Sequence, residues 1–187
     1  MTALDGSTRV TRRRRSRPWR RITCQVLALV VVWTVMLLAA PHLRTGASVR
    51  QLALFVHLAA LVLGFGAVLT LDWFALMWLL RRRTLATVVQ VAHGVNTPVW
   101  LGLGGLAASG AVLGPDTSAP LTVVKLVAVL VVAINGLCAR QVQERLAGRD
   151  GRTPPGGVLL AATLVMLTSQ AGWWTATAVG FLNAQQR

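Results

Sequence analysis

The sequence predicts an all-α membrane protein of five transmembrane helices. Helices two to five are expected to form an antiparallel four-helix bundle, and the first to pack on its periphery. Hydrophobic residues make up 55% of the 187 residues and charged residues only 13%, whereas soluble domains carry about 25% charged residues. The apolar residues also fall in runs of about 20 or more, the length that a helix needs to cross the hydrocarbon core. A water-soluble domain and a disordered chain are thereby excluded.

Five apolar segments give the predicted helices. Because the bilayer core offers no water to backbone polar groups, each crossing segment should be an α-helix. We divide the chain into a basic cytoplasmic tail and a single transmembrane domain, residues 1–21 and 22–187. The predicted spans cover residues 22–40, 52–80, 85–113, 121–139 and 157–182.

Arginine sets the predicted orientation. Fifteen of the 18 arginines lie in the tail, in the loop after span two and in the loop after span four. Because basic loops stay in the cytoplasm, we expect the N-terminus inside and the C-terminus outside a bacterial inner membrane. The tail arginines are expected to contact anionic lipid headgroups, namely Arg12, Arg13, Arg14 and Arg15. No base-reading or stacking module accompanies the charge, so nucleic acid is not an expected partner.

The first span has an alternative interpretation as a cleaved signal peptide. Basic residues precede an apolar stretch that ends at Ala39 and Ala40. This stretch is longer than the usual apolar core of about 7–15 residues, and its cleavage site is poor. We therefore favour a retained helix that faces lipid, since Gln25 and Thr34 are its main polar residues. Cleavage would leave four spans with the same orientation.

A small set of polar residues inside the other four spans defines the predicted site. A charged group at membrane depth costs at least ~2.5 kcal/mol, so it needs a partner or a function. The helical repeat places these residues in one stripe on each helix, which favours a bundle with the stripes inward. The candidate ion-pathway residues are His57, Asp72, His93, Asn96, Lys125, Asn135 and Gln170.

Depth along the helices predicts two polar levels. At about 1.5 Å per residue, Asp72 and His93 lie at similar distances from the inner boundary, so they are expected to pair. His57 and Lys125 lie near the outer boundary and would share a polar vestibule. Packing explanations stay open, because Lys125 can extend to the interface and the amides can serve as interhelical hydrogen bonds.

Small residues predict a close contact between the second and third spans. Gly64-Phe65-Gly66 lies in span two, and Gly102, Gly104 and Gly105 lie in span three. Such residues let two helix backbones approach closely. Pro98, in the middle of span three, is expected to kink that helix.

Two segments resemble the copper resistance D type of membrane domain. In residues 56–66 a helix-borne His57 precedes a glycine pair, as in the opening helix of that domain. Residues 124–135 carry a lysine near the start and an asparagine near the end, like a later helix of the domain. The resemblance covers about residues 50–140. It implies a helical membrane bundle for copper passage or tolerance, with His57 as the candidate metal contact.

Together these observations predict an ion-handling membrane protein whose ion is a metal such as copper, or a proton. His57 and His93 are the candidate metal ligands, because imidazole suits copper. One alternative is a non-catalytic accessory or scaffold subunit. Another is a redox subunit that binds b-type haem through a histidine, although the two histidines are expected about 15–20 Å apart in depth.

Enzymatic activity is not expected, because no hydrolase, metalloprotease or phosphate-loop motif occurs in the sequence. We expect the lipid bilayer to surround the chain. Whether the chain forms a homo-oligomer or joins a larger membrane complex stays open.

Overall fold

The computed structural model describes residues 18–43, 45–147 and 154–185, which form five α-helices and no strand. A 3-10 turn, Ala40–His42, follows the first helix. The predicted headgroup contacts of Arg12 to Arg15 lie outside the described residues. The helices are α1 (Pro18–Ala39), α2 (Ala47–Leu79), α3 (Leu85–Leu113), α4 (Pro120–Ala147) and α5 (Gly156–Gln185).

Each predicted segment coincides with one helix, and the largest difference is at the end of α4. The apolar run stops at Ala139, but the helix continues to Ala147 because no proline or glycine interrupts these polar turns. Arg140 and Glu144 form an ion pair there, with Nε and Oε1 3.4 Å apart. Hydropathy therefore predicted the part of α4 that suits a membrane, and the helix extends beyond it.

A tight turn joins α2 to α3. The backbone N–H groups of Arg81 and Arg82 donate to carbonyls in the last turn of α2, in the pattern of a Schellman motif. Arg81 has a φ of 58°, in the left-handed region that usually takes glycine. Thr84 then caps α3, because its Oγ1 accepts a hydrogen bond from the Thr87 N–H at 3.3 Å. The chain reverses within a few residues, so α2 and α3 become antiparallel neighbours.

Four of the helices, α1, α2, α4 and α5, are long and apolar enough to cross a membrane. The 29 residues of α3 are sufficient in length, but this helix is not among the four. Polar residues such as His93 and Asn96, together with several glycines, make α3 less apolar. The prediction of a membrane-embedded helical protein is confirmed to this extent, and the fifth span stays a prediction.

Large apolar side chains cover the outside of the helices. Val32 and Leu38 on α1 are 65% and 68% exposed, and Phe55 and Val62 on α2 are 69% and 74% exposed. None of the residues in the most apolar stretch of α1 is buried. Such a surface is unfavourable in water. It is the surface expected of helices that face lipid chains.

The helices pack mainly as two antiparallel pairs, α2 with α3 and α4 with α5. Narrower contacts join the pairs, between α3 and α4 and between α2 and α5. Helix α1 lies against α3 and α4. This packing is compatible with the predicted bundle and with a peripheral first helix.

Glycine makes the α2–α3 contact possible. A Cβ added to Gly102 would lie 2.5 Å from the Gly64 Cα, and one added to Gly105 would lie 2.8 Å from a methyl group of α2. By contrast, nothing lies within 4 Å of a Cβ added to Gly66 or Gly104. The predicted close approach is therefore confirmed at Gly64, Gly102 and Gly105, whereas the other two glycines have open space around them.

Candidate functional site

The polar side chains of α2 to α5 lie at two ends of the helix pairs. We call the end where α2 stops and α3 begins the arginine end, after Arg81, Arg82 and Arg83 in its turn. The opposite end, where α3 stops and α4 begins, is called the distal end. His57 lies toward the distal end, and Asp72 lies toward the arginine end.

At the distal end His57 pairs with Ser109 of α3. The Nδ1 atom of His57 and the Oγ atom of Ser109 are 2.9 Å apart, and Ser109 also donates to the carbonyl of Gly105. A serine hydroxyl carries one hydrogen. Which of the His57 Nδ1 and Ser109 Oγ atoms donates depends on the tautomer of the imidazole.

Further polar groups lie near this pair. Lys125 of α4 is close enough to His57 for its charge to act on the imidazole. The Asn183 side chain of α5 donates to the Thr122 hydroxyl of α4 across 3.4 Å. The imidazole also packs over the α3 backbone, since a Cβ added to Gly110 would lie 3.6 Å from its Cε1. The distal end is therefore polar, and it contains groups from all four helices of the two pairs.

Toward the arginine end, the side-chain amide of Gln170 on α5 donates a hydrogen bond to Asp72 on α2. This bond links the two helix pairs. Among the described residues, no arginine, lysine or histidine forms an ion pair with Asp72. The carboxyl group thus has one amide partner and no basic one within the described part of the chain.

His93 does not meet Asp72, in contrast to the expected pairing. The antiparallel register that places Gly64 against Gly102 also places His57 beside Ser109. Asp72 lies eight residues beyond Gly64 on α2, so the same register brings it to the level of His93 on α3. The depth was therefore predicted well, but the direction was not, because the His93 side chain is exposed.

Asn135 joins α4 to α5 within this region. Its Nδ2 atom donates to the backbone carbonyl of Val165 at 2.8 Å. The amide consequently behaves as the interhelical hydrogen bond that the sequence left open as an alternative. Asn96 of α3 is partly buried in the same region.

A cavity of about 330 Å³ lies between the two helix pairs, toward the arginine end. All four helices contribute to its wall, which is mainly aliphatic and aromatic. Asp72 is the sole acidic residue among those that line it. The other polar side chains in the wall are Asn96, Asn135, Gln143, Thr163 and Ser169.

Trp173 lines the cavity from α5, as expected of a residue that shares the inward stripe of span five with Gln170. The side chain is 2% exposed, stacks on Phe65 with ring centroids 5.6 Å apart, and packs on Gly64. Its buried Nε1 donor has no hydrogen-bond partner among the described residues, which costs about 1–3 kcal/mol where no water reaches it.

The structure gives little support to a shared metal or haem between the two histidines. His57 and Asp72 are 15 residues apart on α2, which is about 22 Å along a helix. His93 lies level with Asp72, so His57 and His93 do not reach one ion. Within the described ranges, no three His, Cys, Asp or Glu side chains form a group that could hold a metal. A metal contact through His57 alone stays a prediction.

Comparison with known proteins adds no relative. The chain matches no protein-family model, no curated protein and no solved structure. The resemblance to the copper resistance D type of domain therefore stays a prediction, and the function must be argued from the site.

Proposed function

We propose that this chain is a polytopic membrane protein that handles protons or cations at Asp72. The observation that carries the proposal is a carboxyl group in the wall of an apolar cavity, with an amide as partner and no basic residue paired with it among the described residues. A carboxylate at membrane depth is costly unless it holds a proton or lies beside a cation.

The Asp72 carboxyl group cannot bind a proton and a cation tightly at the same time. When a cation binds next to Asp72, the charged form becomes favourable and the proton leaves. When the cation leaves, the apolar wall favours the return of the proton. This competition couples the two ions, and Gln170 helps it by donating a hydrogen bond to a carboxyl oxygen in either state.

The proposed orientation follows from the arginines. We place the arginine end in the cytoplasm, because Arg81, Arg82 and Arg83 lie in its turn. The cavity then faces the cytoplasmic half of the membrane, and the polar distal end faces outward. With α3 as a further span, the N-terminus is inside and the C-terminus outside.

A packing role is the second candidate function, and specific contacts favour it. The bonds between His57 and Ser109, and between Asn135 and the Val165 carbonyl, each join two helices. These pairs can specify one arrangement of helices without any ion. An accessory subunit would need nothing more from them.

Proton flux in proteoliposomes separates the two candidates. An internal pH dye reports the collapse of an imposed pH gradient after addition of Na⁺, K⁺, Cu⁺ or tetraphenylphosphonium. We expect at least one cation to collapse the gradient about tenfold faster than in protein-free vesicles. Asp72→Asn should abolish this flux, because the amide holds neither a proton nor a cation.

Asp116→Asn is the matched control. Asp116 lies in the turn between α3 and α4, where its Oδ1 atom accepts hydrogen bonds from Ser118. An amide oxygen preserves these bonds, so this variant should keep the flux of the parent protein. Equal flux from Asp72→Asn and the parent, or no cation-dependent flux at all, contradicts the proposal and favours the packing role.

A further inference from the structure

We infer that the cavity between the helix pairs binds an amphipathic organic cation, with Asp72 as its charge partner. The inference rests on the proposed function, because it names the class of cation that Asp72 takes. Three observations carry it: the composition of the cavity wall, the tryptophans within it and the position of the carboxyl group.

The wall excludes a bare inorganic cation as the best ligand. Such hard cations replace their water shell with about six or more oxygen ligands. Here one carboxyl oxygen already accepts from Gln170, and the nearby wall is largely formed by Val68, Leu71 and Ala75. An organic cation gives up little hydration, because carbon groups already cover its charge.

Tryptophan side chains suit such a ligand. Trp78, Trp100 and Trp173 all line the cavity, and they come from three helices. The face of an indole ring attracts a cation, most strongly where water is excluded. Trp78 and Trp100 are partly exposed and offer apolar contact area to the rest of the ligand, whereas Phe65 covers one face of Trp173.

The size of the cavity fits a small molecule. A volume of about 330 Å³ lies within the range of about 300–1,000 Å³ found for ligand sites. Lipid acyl chains would fit the apolar wall equally well, but they would leave Asp72 against hydrocarbon without a counter-charge. Charge complementarity therefore favours the cation over the lipid chain.

Calorimetric titration tests the inference on the purified full chain in nanodiscs at pH 8. Tetraphenylphosphonium serves as the cationic probe, and triphenylphosphine oxide as the uncharged one. We expect the cation to bind once per chain and Asp72→Asn to weaken this binding at least tenfold. The uncharged probe should bind the parent and Asp72→Asn equally, because it makes no use of the charge.

A cavity-filling variant keeps the test informative if Asp72→Asn folds poorly. Ala162 lines the cavity from α5 and is partly exposed. Ala162→Phe should weaken both probes, whereas Leu160→Phe, at an exposed position of the same helix outside the wall, should change neither. Elution of each variant as a single species by size exclusion confirms its fold.

The outcomes separate this inference from the proposed function. Equal affinity for both probes would mean that the cavity takes apolar chains, and would overturn the inference. Absence of cation binding together with Na⁺ or Cu⁺ flux that depends on Asp72 would overturn the inference alone. Absence of both binding and flux would overturn the inference and the proposed function together.

Discussion

The hydrogen bond between His57 and Ser109 shows how one small residue holds a histidine side chain between two helices. The Ser109 hydroxyl bonds to Nδ1 of His57 and also to the Gly105 carbonyl of its own helix. Ser109 is 5% exposed, so water competes little for this bond. The imidazole is held in one place against α3 by this bond and by its packing over Gly110.

Loss of this pair should lower stability by a small, measurable amount. Ser109→Ala and His57→Ala are each expected to lower the free energy of unfolding by about 0.5–1.5 kcal/mol. The double variant should lose less than the sum of the two, because both changes remove the same bond. Chemical unfolding in detergent micelles provides the measurement.

Thr70→Ala serves as the control for removal of a hydroxyl. The Thr70 hydroxyl bonds to the Gly66 carbonyl of its own helix at 2.8 Å and is exposed. Its removal should leave the unfolding free energy nearly unchanged. Strict additivity of the Ser109 and His57 changes would show that the pair contributes no coupling.

Residue type alone predicted the polar groups inside the helices, but not the direction of each. Asp72 and Gln170 are on different helices and 98 positions apart, and hydropathy cannot indicate that they meet. His93 was predicted at the correct level because helix rise per residue is constant. The direction of the His93 side chain depends on the orientation of α3 about its own axis. The glycine contacts with α2 set that orientation.

At the scale of helices, the close contact between α2 and α3, which we call the glycine seam, depends on glycines that have no side chain. Gly102 faces the backbone of Gly64, which cannot move aside in the way that a side chain tip can. The sequence indicated the seam through its glycines, and the bounds of α3 through its apolar run. It could not indicate which glycines face the partner helix, since several lie within one turn of one another.

Two neighbouring glycines of α3 therefore respond differently to the same change. Gly102→Ala should lower the free energy of unfolding by about 1–3 kcal/mol, because the added methyl group forces the backbones apart. Gly104→Ala should leave it unchanged or raise it by up to about 1 kcal/mol, because alanine favours helix and nothing lies within 4 Å of the added Cβ.

Thermal unfolding of the two variants in the same detergent gives the comparison. Equal stability of Gly102→Ala and Gly104→Ala would show that the helices separate at this seam in solution. A larger loss at Gly104 would reverse the assigned face of α3.

At the scale of the whole molecule, the helix that is not among the four apolar spans is in contact with three other helices. Helix α3 contacts α2 along its length and also touches α1 and α4. A helix covered in this way needs less apolar surface than one that faces lipid on all sides. Enclosure of this kind is compatible with α3 as a further span, although its hydropathy leaves it out of the four.

Cysteine accessibility tests whether α3 crosses the membrane. Arg82→Cys and Ser118→Cys place a thiol before and after α3, in a background where Cys24 and Cys138 are changed to serine. We expect a membrane-impermeant maleimide to label Ser118→Cys in intact cells, and Arg82→Cys only after permeabilisation. Both natural cysteines are exposed, so their removal should be tolerated.

Labelling of both positions from the same side would place the turns on one face of the membrane. The chain would then have four spans with α3 re-entrant or buried between them. The reverse pattern, with Arg82→Cys labelled from outside, would invert the proposed orientation.

The glycine seam also has a consequence for biosynthesis. As the chain leaves the ribosome, α2 reaches the translocon before α3. Helix α2 is apolar enough to enter lipid alone. As a further span, the less apolar α3 would gain most by entering as the second arm of a helical hairpin, where the tight turn at Arg81 and the contact of Gly102 with Gly64 align it on α2. With α3 as a further span, the residues that hold the folded pair together would also favour integration of the newly made chain.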